Sequence, residues 1–134
     1  MDDKIFIAAK QAFLIYEQLQ NMRRNVRHIS SLDGIAHFIE LFNVKTEEIN
    51  SVLANDPAML ETISFLKPID TNVQQSEYPS AIIDGKRGQF MVISGVLMTA
   101  LRNFMRFYLT KEDQEKFGLT EAFFKQEQGQ DSTM

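Results

Sequence analysis

The chain has no cysteine, no tryptophan and only two histidines among its 134 residues. The absence of cysteine excludes disulfide bonds, thiolate metal ligands and thiol catalysis. His28 and His37 alone do not supply the three or four converging ligands that a zinc site needs, and no acidic loop motif accompanies them. We therefore expect no enzymatic activity, no metal and no other cofactor. A chain without cysteine suits a reducing compartment, so we expect the protein to act in the cytoplasm.

Helix-breaking residues are also scarce, with three prolines and six glycines. The apolar share of 44% and the charged share of 24% are typical of a globular domain. The longest apolar run, residues 90–101, is about half of the roughly 20 residues that span a bilayer. We therefore expect one globular domain over residues 1–128, a frayed polar tail over residues 129–134 and no insertion into a membrane.

The N-terminal segment carries apolar residues in an unbroken alternation of three and four. This stripe comprises Ile5, Ala8, Ala12, Ile15, Leu19, Met22, Val26 and Ile29. Such spacing predicts a long amphipathic helix. A second apolar row beside the stripe makes the apolar face wider than a two-stranded seam needs, which favours packing within a bundle. The alternative is a homodimer through residues 5–29.

Residues 89–109 are apolar nearly all round, so we predict a central helix that is covered on most sides, with Gly95 allowing a neighbouring helix to approach closely. The preceding residues 67–89 contain two prolines, two glycines and little periodicity. They predict a long loop, with a small β-hairpin around "DGKRG" as the alternative. The fold class is thus all-α: a single compact bundle of five to six helices with a long N-terminal helix and a central apolar helix.

Capping signals divide the rest of the chain. Either Ser31 or Asp33 can cap a helix that covers residues 35–42. Asp56 followed by proline predicts the start of a helix that runs to about residue 66. Thr110 predicts the start of a short helix that Gly118 ends.

Residues 35–56, "IAHFIELFNVKTEEINSVLAND", have the rhythm of a helix, a turn at Asn43 and a second helix, which is typical of helix-turn-helix proteins. Ile39 stands where that motif needs a small residue, and Glu47 and Glu48 would repel phosphates. One basic and six acidic side chains give residues 29–66 a net charge of −5, against +2 for residues 1–28, +2 for residues 67–110 and −3 for residues 111–134. We therefore expect a structural hairpin and a protein partner rather than a nucleic acid.

Two groups of arginines require partners. Arg23, Arg24 and Arg27 share one side if the first helix continues, where they either complement the helix dipole or bind a partner. Arg102 and Arg106 lie one turn apart on the central helix and need counter-charges. The candidates are Glu17, Glu40, Glu61 and a bound anion.

The core is rich in deformable side chains, since the chain has seven methionines and eleven phenylalanines. Thioethers and phenyl rings fill irregular gaps, and they can also enclose a small apolar molecule. An ordinary packed interior is the simpler interpretation. The alternative is a ligand pocket lined by Met91, Met98, Phe104, Met105 and Phe107.

Three functional hypotheses follow from these patterns. The leading one is a non-enzymatic, small acidic regulatory or adaptor protein that acts by protein-protein binding, alone or as a homodimer. Its partner-binding residues would be Arg23, Arg24, Arg27, Glu47 and Glu48. The second is a sensor domain that binds an apolar ligand or an anion, and the third is a helix-turn-helix DNA-binding regulator.

Overall fold

A computed structural model describes residues 3–73 and 78–124. Its helices are α1 (Asp3–Asn25), a short 3₁₀ helix (Val26–His28), α2 (Leu32–Leu53), α3 (Pro57–Glu61), α4 (Pro79–Tyr108) and α5 (Lys111–Lys116). Residues 121–124 are also helical, and no strand occurs in these two ranges. The all-α fold class is confirmed. The tail predicted at residues 129–134 lies outside the described residues.

The three long helices α1, α2 and α4 pack against one another and enclose the core. The N-terminal stripe is part of this core, because Ala8, Ala12, Ile15, Leu19 and Val26 are buried in the single chain. Burial of these side chains supplies apolar contact area within the monomer. The prediction that the stripe packs inside a bundle is therefore confirmed.

Helix α4 is the centre of the bundle, as predicted. The Phe90 ring packs edge to face with Phe38 at 4.9 Å and with Phe42 at 4.8 Å between ring centroids. Leu97 and Leu101, two and three turns further along, have no exposed surface. The helix begins at Pro79, however, about three turns before the expected start at residue 89.

The turn predicted at Asn43 is wrong, because α2 runs unbroken through this position. No glycine or proline interrupts residues 35–53, and the apolar spacing keeps one helical phase across them. The Asn43 amide instead bonds the backbone of Ile69, donating to its carbonyl at 2.9 Å and accepting from its N–H at 3.1 Å. The segment is one helix, so the helix-turn-helix hypothesis loses its structural basis.

The β-hairpin alternative for residues 67–89 is also wrong. The residues "SAII", "DGKRG" and "QFMVI" all lie in the first half of α4. Pro79 fits the first helical position, because a proline there forgoes no helical hydrogen bond. Ile83 and Phe90 then share the buried side of a helix. Arg87 connects this half of α4 to the 3₁₀ helix and the residue after it by donating to the carbonyls of Val26 at 3.2 Å and Ile29 at 2.8 Å.

The capping predictions are confirmed. The Ser31 hydroxyl, rather than Asp33, accepts the N–H of the third residue of α2 at 3.0 Å. Asp56 and Thr110 cap α3 and α5 in the same way. Gly118 has a φ of 74°, which ends the short C-terminal helix. Helix α3 is shorter than expected, since it ends at residue 61 and the chain continues in turns.

By length and composition, α4 resembles a membrane span, with an 18-residue stretch of mean hydropathy 1.2. Half of that stretch is buried inside the protein. Core helices of globular proteins meet the same criteria, and the packing of α4 between α1 and α2 is of that kind.

Candidate functional site

Four large aliphatic side chains are exposed on the outer side of α1 and α2. They are Ile7, Leu14, Leu41 and Val44, each between 51% and 58% exposed. Helical periodicity places Ile7, Leu14 and Val44 opposite the buried stripes of their own helices, and Leu41 at the edge of the α2 stripe. We term these four residues the α1/α2 face. These residues are not among the sites predicted from the sequence, although apolar residues outside the buried stripe of an amphipathic helix are the signal that marks such a face.

A groove of about 490 Å³ runs between the two helices beneath this face. Its lining comprises Gln11, Leu14, Ile15 and Gln18 of α1 with Lys45, Glu48, Ser51 and Val52 of α2. The two apolar residues at its base, Ile15 and Val52, are buried, whereas the polar residues form its walls. The groove therefore offers an apolar floor with amide and charged side chains on its rim.

Carboxylates follow the α2 side of the face. Glu48 accepts from the Lys45 ammonium at 3.1 Å, and Glu40 lies 3.9 Å from the His37 ring nitrogen. Glu47 is exposed and forms no ion pair with another residue in the described ranges. Of the two glutamates predicted to bind a partner, Glu48 lines the groove and Glu47 is exposed at the preceding position of α2.

The three predicted partner-binding arginines do not share a surface. Arg23 turns inward and donates to the Met91 carbonyl at 2.8 Å and to the Ser94 hydroxyl at 2.7 Å. Burial lowers the pKa of Arg23, the Tyr16 hydroxyl partly opposes this shift, and the charge of Arg102 adds to it. Arg24 and Arg27 remain exposed.

Gly95 explains how the Arg23 side chain reaches this position. A Cβ atom on Gly95 would lie 3.6 Å from Nη1 of Arg23, so the guanidinium rests directly on the α4 backbone. The close approach that we expected at this glycine is therefore made by an arginine side chain rather than by a neighbouring helix backbone.

Arg102 is only 3% exposed and contacts a tyrosine rather than one of the predicted glutamates. Its Nε and Nη2 atoms donate to the Tyr16 hydroxyl at 2.9 and 2.5 Å. Its guanidinium also lies 5.2 Å from the centroid of the Tyr16 ring and 5.7 Å from that of Phe123. The aromatic walls and the hydroxyl together offset part of the cost of burying the charge.

Arg106 lies one turn later and remains exposed. It pairs with Glu121 at 3.5 Å and lies 5.3 Å from the centroid of the Phe124 ring. The counter-charge thus comes from the C-terminal segment rather than from Glu17, Glu40 or Glu61, the candidates that the sequence offered.

The five residues proposed to line an apolar ligand pocket are not brought together. Met98, Phe104 and Met105 are packed inside the bundle and Met91 is half-buried, whereas Phe107 is 73% exposed. These five residues therefore do not form one pocket. The sensor hypothesis stays a prediction.

His28 and His37 are both exposed, and residues 3–73 and 78–124 contain no group of three or more acidic and histidine side chains placed to hold a metal ion. Comparisons of the chain with family models, with curated proteins and with solved structures found no match. The class of protein is therefore described from its fold and the α1/α2 face alone. It is an all-α protein with an amphipathic two-helix surface.

Proposed function

We propose that this protein is a non-enzymatic regulatory or adaptor protein of the cytoplasm that binds another protein through the α1/α2 face. Its partner is an amphipathic helix that carries basic residues beside its apolar stripe. The observation that carries the proposal is the groove between α1 and α2, which has the buried Ile15 and Val52 and the exposed Leu14 in its lining.

The apolar part of the face matches a helix-in-groove mode of recognition. Exposed apolar residues are ordinary when they are scattered singly, whereas residues gathered along one groove are typical of a binding site. Leu14 lines the groove directly, and Leu41 lies one helical turn before the groove residue Lys45. A partner helix would place residues three and four apart against them.

The charge of the face selects a basic partner. Glu48 lines the groove, Glu40 and Glu47 are exposed on the same helix, and residues 29–66, which contain all three, carry a net charge of −5. Complementary charges mainly accelerate association and exclude wrong partners, so binding should weaken as salt is raised.

A homodimer through residues 5–29 would have to use the same face. The stripe that motivated that hypothesis is buried against α2 and α4. Ile7 and Leu14, on the other side of α1, are the aliphatic residues of this segment left for a second copy. The experiment must therefore separate a second copy from a different protein.

A photo-reactive phenylalanine analogue at Leu14 or Leu41 tests the face in the host cell, with exposed Val92 of α4 as the matched control position. We expect a cross-linked partner from positions 14 and 41 and none from position 92. The partner segment, once purified, should bind at least about tenfold more weakly to the Leu14→Ala, Leu41→Ala double variant than to wild type, a loss of about 1.4 kcal/mol. Glu47→Lys should reduce the salt dependence of the affinity for this partner segment.

Three results would contradict the proposal. They are cross-linking from position 92 but not from positions 14 and 41, an affinity that the double variant leaves unchanged, and binding that does not respond to salt. Cross-links between two copies of this chain, together with a dimer in sedimentation, would replace the separate partner by a homodimer.

A further inference from the structure

The chain folds back on itself after α4. Residues 110–124, which we term the C-terminal strap, comprise α5, the turn at Gly118 and the helical residues 121–124. The strap lies across the α1 and α4 surface rather than the α1/α2 face. The Gln114 amide holds its beginning by donating to the carbonyl of Leu109 at 2.9 Å.

Aromatic side chains make the main contacts of the strap with α1. Phe117 stacks on Phe13 with ring centroids 4.8 Å apart, and Phe123 meets Tyr16 edge to face at 5.1 Å. These pairs are directional contacts that each add to the area they bury. The surface that the strap covers, with Phe13 and Tyr16 of α1 and Arg102 and Arg106 of α4, is termed the α1/α4 groove, and its α1 side accepts phenyl rings.

Positive charge comes from the α4 side of the same groove. Arg102 faces Phe123, and Arg106 faces both Phe124 and the Glu121 carboxylate. The strap carries four acidic and two basic side chains. The stretches that contain α1 and α4 each carry a net charge of +2. An acidic, aromatic segment is thus seated on a basic, aromatic groove.

The strap is attached weakly. Helix α5 buries none of its side chains, and Leu119 is the one residue of the strap that is buried. The other contacts described above are partly exposed rings, the Gln114 hydrogen bond, two arginine–ring contacts and one exposed ion pair, which are individually small contributions. Segments with few buried apolar contacts open locally before the protein unfolds.

We infer that the α1/α4 groove is a second binding surface, specific for an acidic segment with aromatic side chains, and that the C-terminal strap occupies it as an intramolecular competitor. A partner segment of that chemistry binds only when the strap leaves. Because the tethered strap has a high effective concentration, weakening its contacts strengthens binding of a free segment.

Hydrogen exchange measured by mass spectrometry on the full chain tests the opening. Amides of residues 111–124 should exchange at least about tenfold faster than those of α1 and α2. Phe123→Ala should accelerate exchange in the strap and leave α2 unchanged. Glu121→Gln, an exposed change that leaves the core intact, should do the same to a smaller extent. Equal protection of the strap and α1 would overturn the inference.

Binding of a labelled peptide that covers residues 110–124 tests the groove. Fluorescence anisotropy should show at least tenfold tighter binding to the Phe123→Ala chain than to wild type, and Arg106→Ala in that chain should weaken it again. Phe107→Ala, an exposed phenylalanine next to Arg106, is the matched control and should behave as wild type. No binding to Phe123→Ala, equal binding to wild type, or equal binding of a scrambled peptide would each overturn the inference. None of these results bears on the α1/α2 face.

Discussion

At the scale of single residues, the arginine side chains that enter the α1/α4 interface need hydrogen-bond partners to offset the cost of burying their charge. Arg23 and Arg102 bring two positive charges into one helix interface, with the Tyr16 ring near both. A buried guanidinium is tolerated only when its N–H groups are hydrogen-bonded. Tyr16 therefore has a role that phenylalanine could not fill at the same position.

The change Tyr16→Phe removes the hydroxyl that accepts from two nitrogen atoms of Arg102. We expect the free energy of unfolding to fall by about 1–3 kcal/mol, because a buried charged donor loses an acceptor while the ring is retained. Urea titration measures this loss. Val92→Ala, at an exposed position of α4, is the control and should change stability by less than about 0.5 kcal/mol. Similar losses in both variants would be inconsistent with this role.

Tyr108 links the end of α4 to the start of α3, since its hydroxyl donates to the Asp56 carboxylate. This hydrogen bond, with smaller effects of burial and of the carboxylate charge, raises the pKa of Tyr108 above its ordinary value of about 10. Only the neutral hydroxyl donates. The contribution to stability is therefore complete below pH 10 and is lost as the pH rises through the higher pKa of the folded state.

Tyr108→Phe should lower stability by about 1 kcal/mol at neutral pH. The difference between wild type and variant should then shrink as the pH rises above 10. Unfolding by urea, followed by circular dichroism across that range, provides the test. A difference that stays constant with pH would show that the hydroxyl does not act through its bond to Asp56.

At the scale of secondary structure, the glycines of the helices differ in how much space a side chain would have. Gly85 and Gly88 lie in α4, and a Cβ atom added at either would meet no other atom within 4 Å. A Cβ atom at Gly34 in α2 would lie 2.7 Å from the Ser31 hydroxyl oxygen that caps the helix. Gly118 alone has a positive φ among the described residues.

Gly88→Ala should therefore stabilise the protein by about 0.5–1 kcal/mol, because alanine has the higher helix propensity and the space is open. Gly34→Ala should gain less, since it disturbs the cap. Gly118→Ala should cost about 1 kcal/mol, because a side chain is strained in the left-handed conformation. Thermal unfolding of the three variants ranks them. A destabilised Gly88→Ala would mean that another segment approaches α4 there.

Helix α2 shows why local patterns misled the prediction of a turn. Asparagine, threonine and two glutamates at residues 43–48 are individually common at helix boundaries. In the folded protein the Asn43 side chain bonds the backbone of Ile69, and the Thr46 hydroxyl donates to the Phe42 carbonyl at 3.1 Å. Partners 26 residues away and a continuous apolar stripe decided the outcome, and neither is contained in the boundary signals.

At the scale of the whole molecule, α1 has one face inside the bundle and one face available to a partner. Leu19 has no exposed surface, whereas Leu14 is mostly exposed. The two leucines are on one helix, so helix propensity is the same for both. Their difference in burial is the difference between the core and the α1/α2 face.

Leu19→Ala should cost about 2–4 kcal/mol of stability through lost burial and the cavity it leaves. Leu14→Ala should cost less than about 0.5 kcal/mol. Chemical denaturation at two protein concentrations gives both values, and the Leu19→Ala midpoint should not depend on concentration. A midpoint that rises with concentration would instead place the buried stripe between two copies of the chain.

The sequence by itself determined the fold class, the long first helix, the central position of α4 and the capping residues. These features depend on spacing within a few turns and on neighbours three or four positions apart, so the local sequence determines them. The heptad-like stripe also predicted its own burial, although it could not distinguish a core from a dimer seam.

Only the tertiary structure decided which polar and charged groups meet. Arg102 donates a hydrogen bond to Tyr16, 86 residues away in the sequence, and Arg23 donates one to Ser94, 71 residues away. The same assembly leaves Leu14 and Leu41 outside and lays the strap over α1 and α4. The physical reason is that partner choice depends on which helix faces meet in space, and many pairings share the same local pattern.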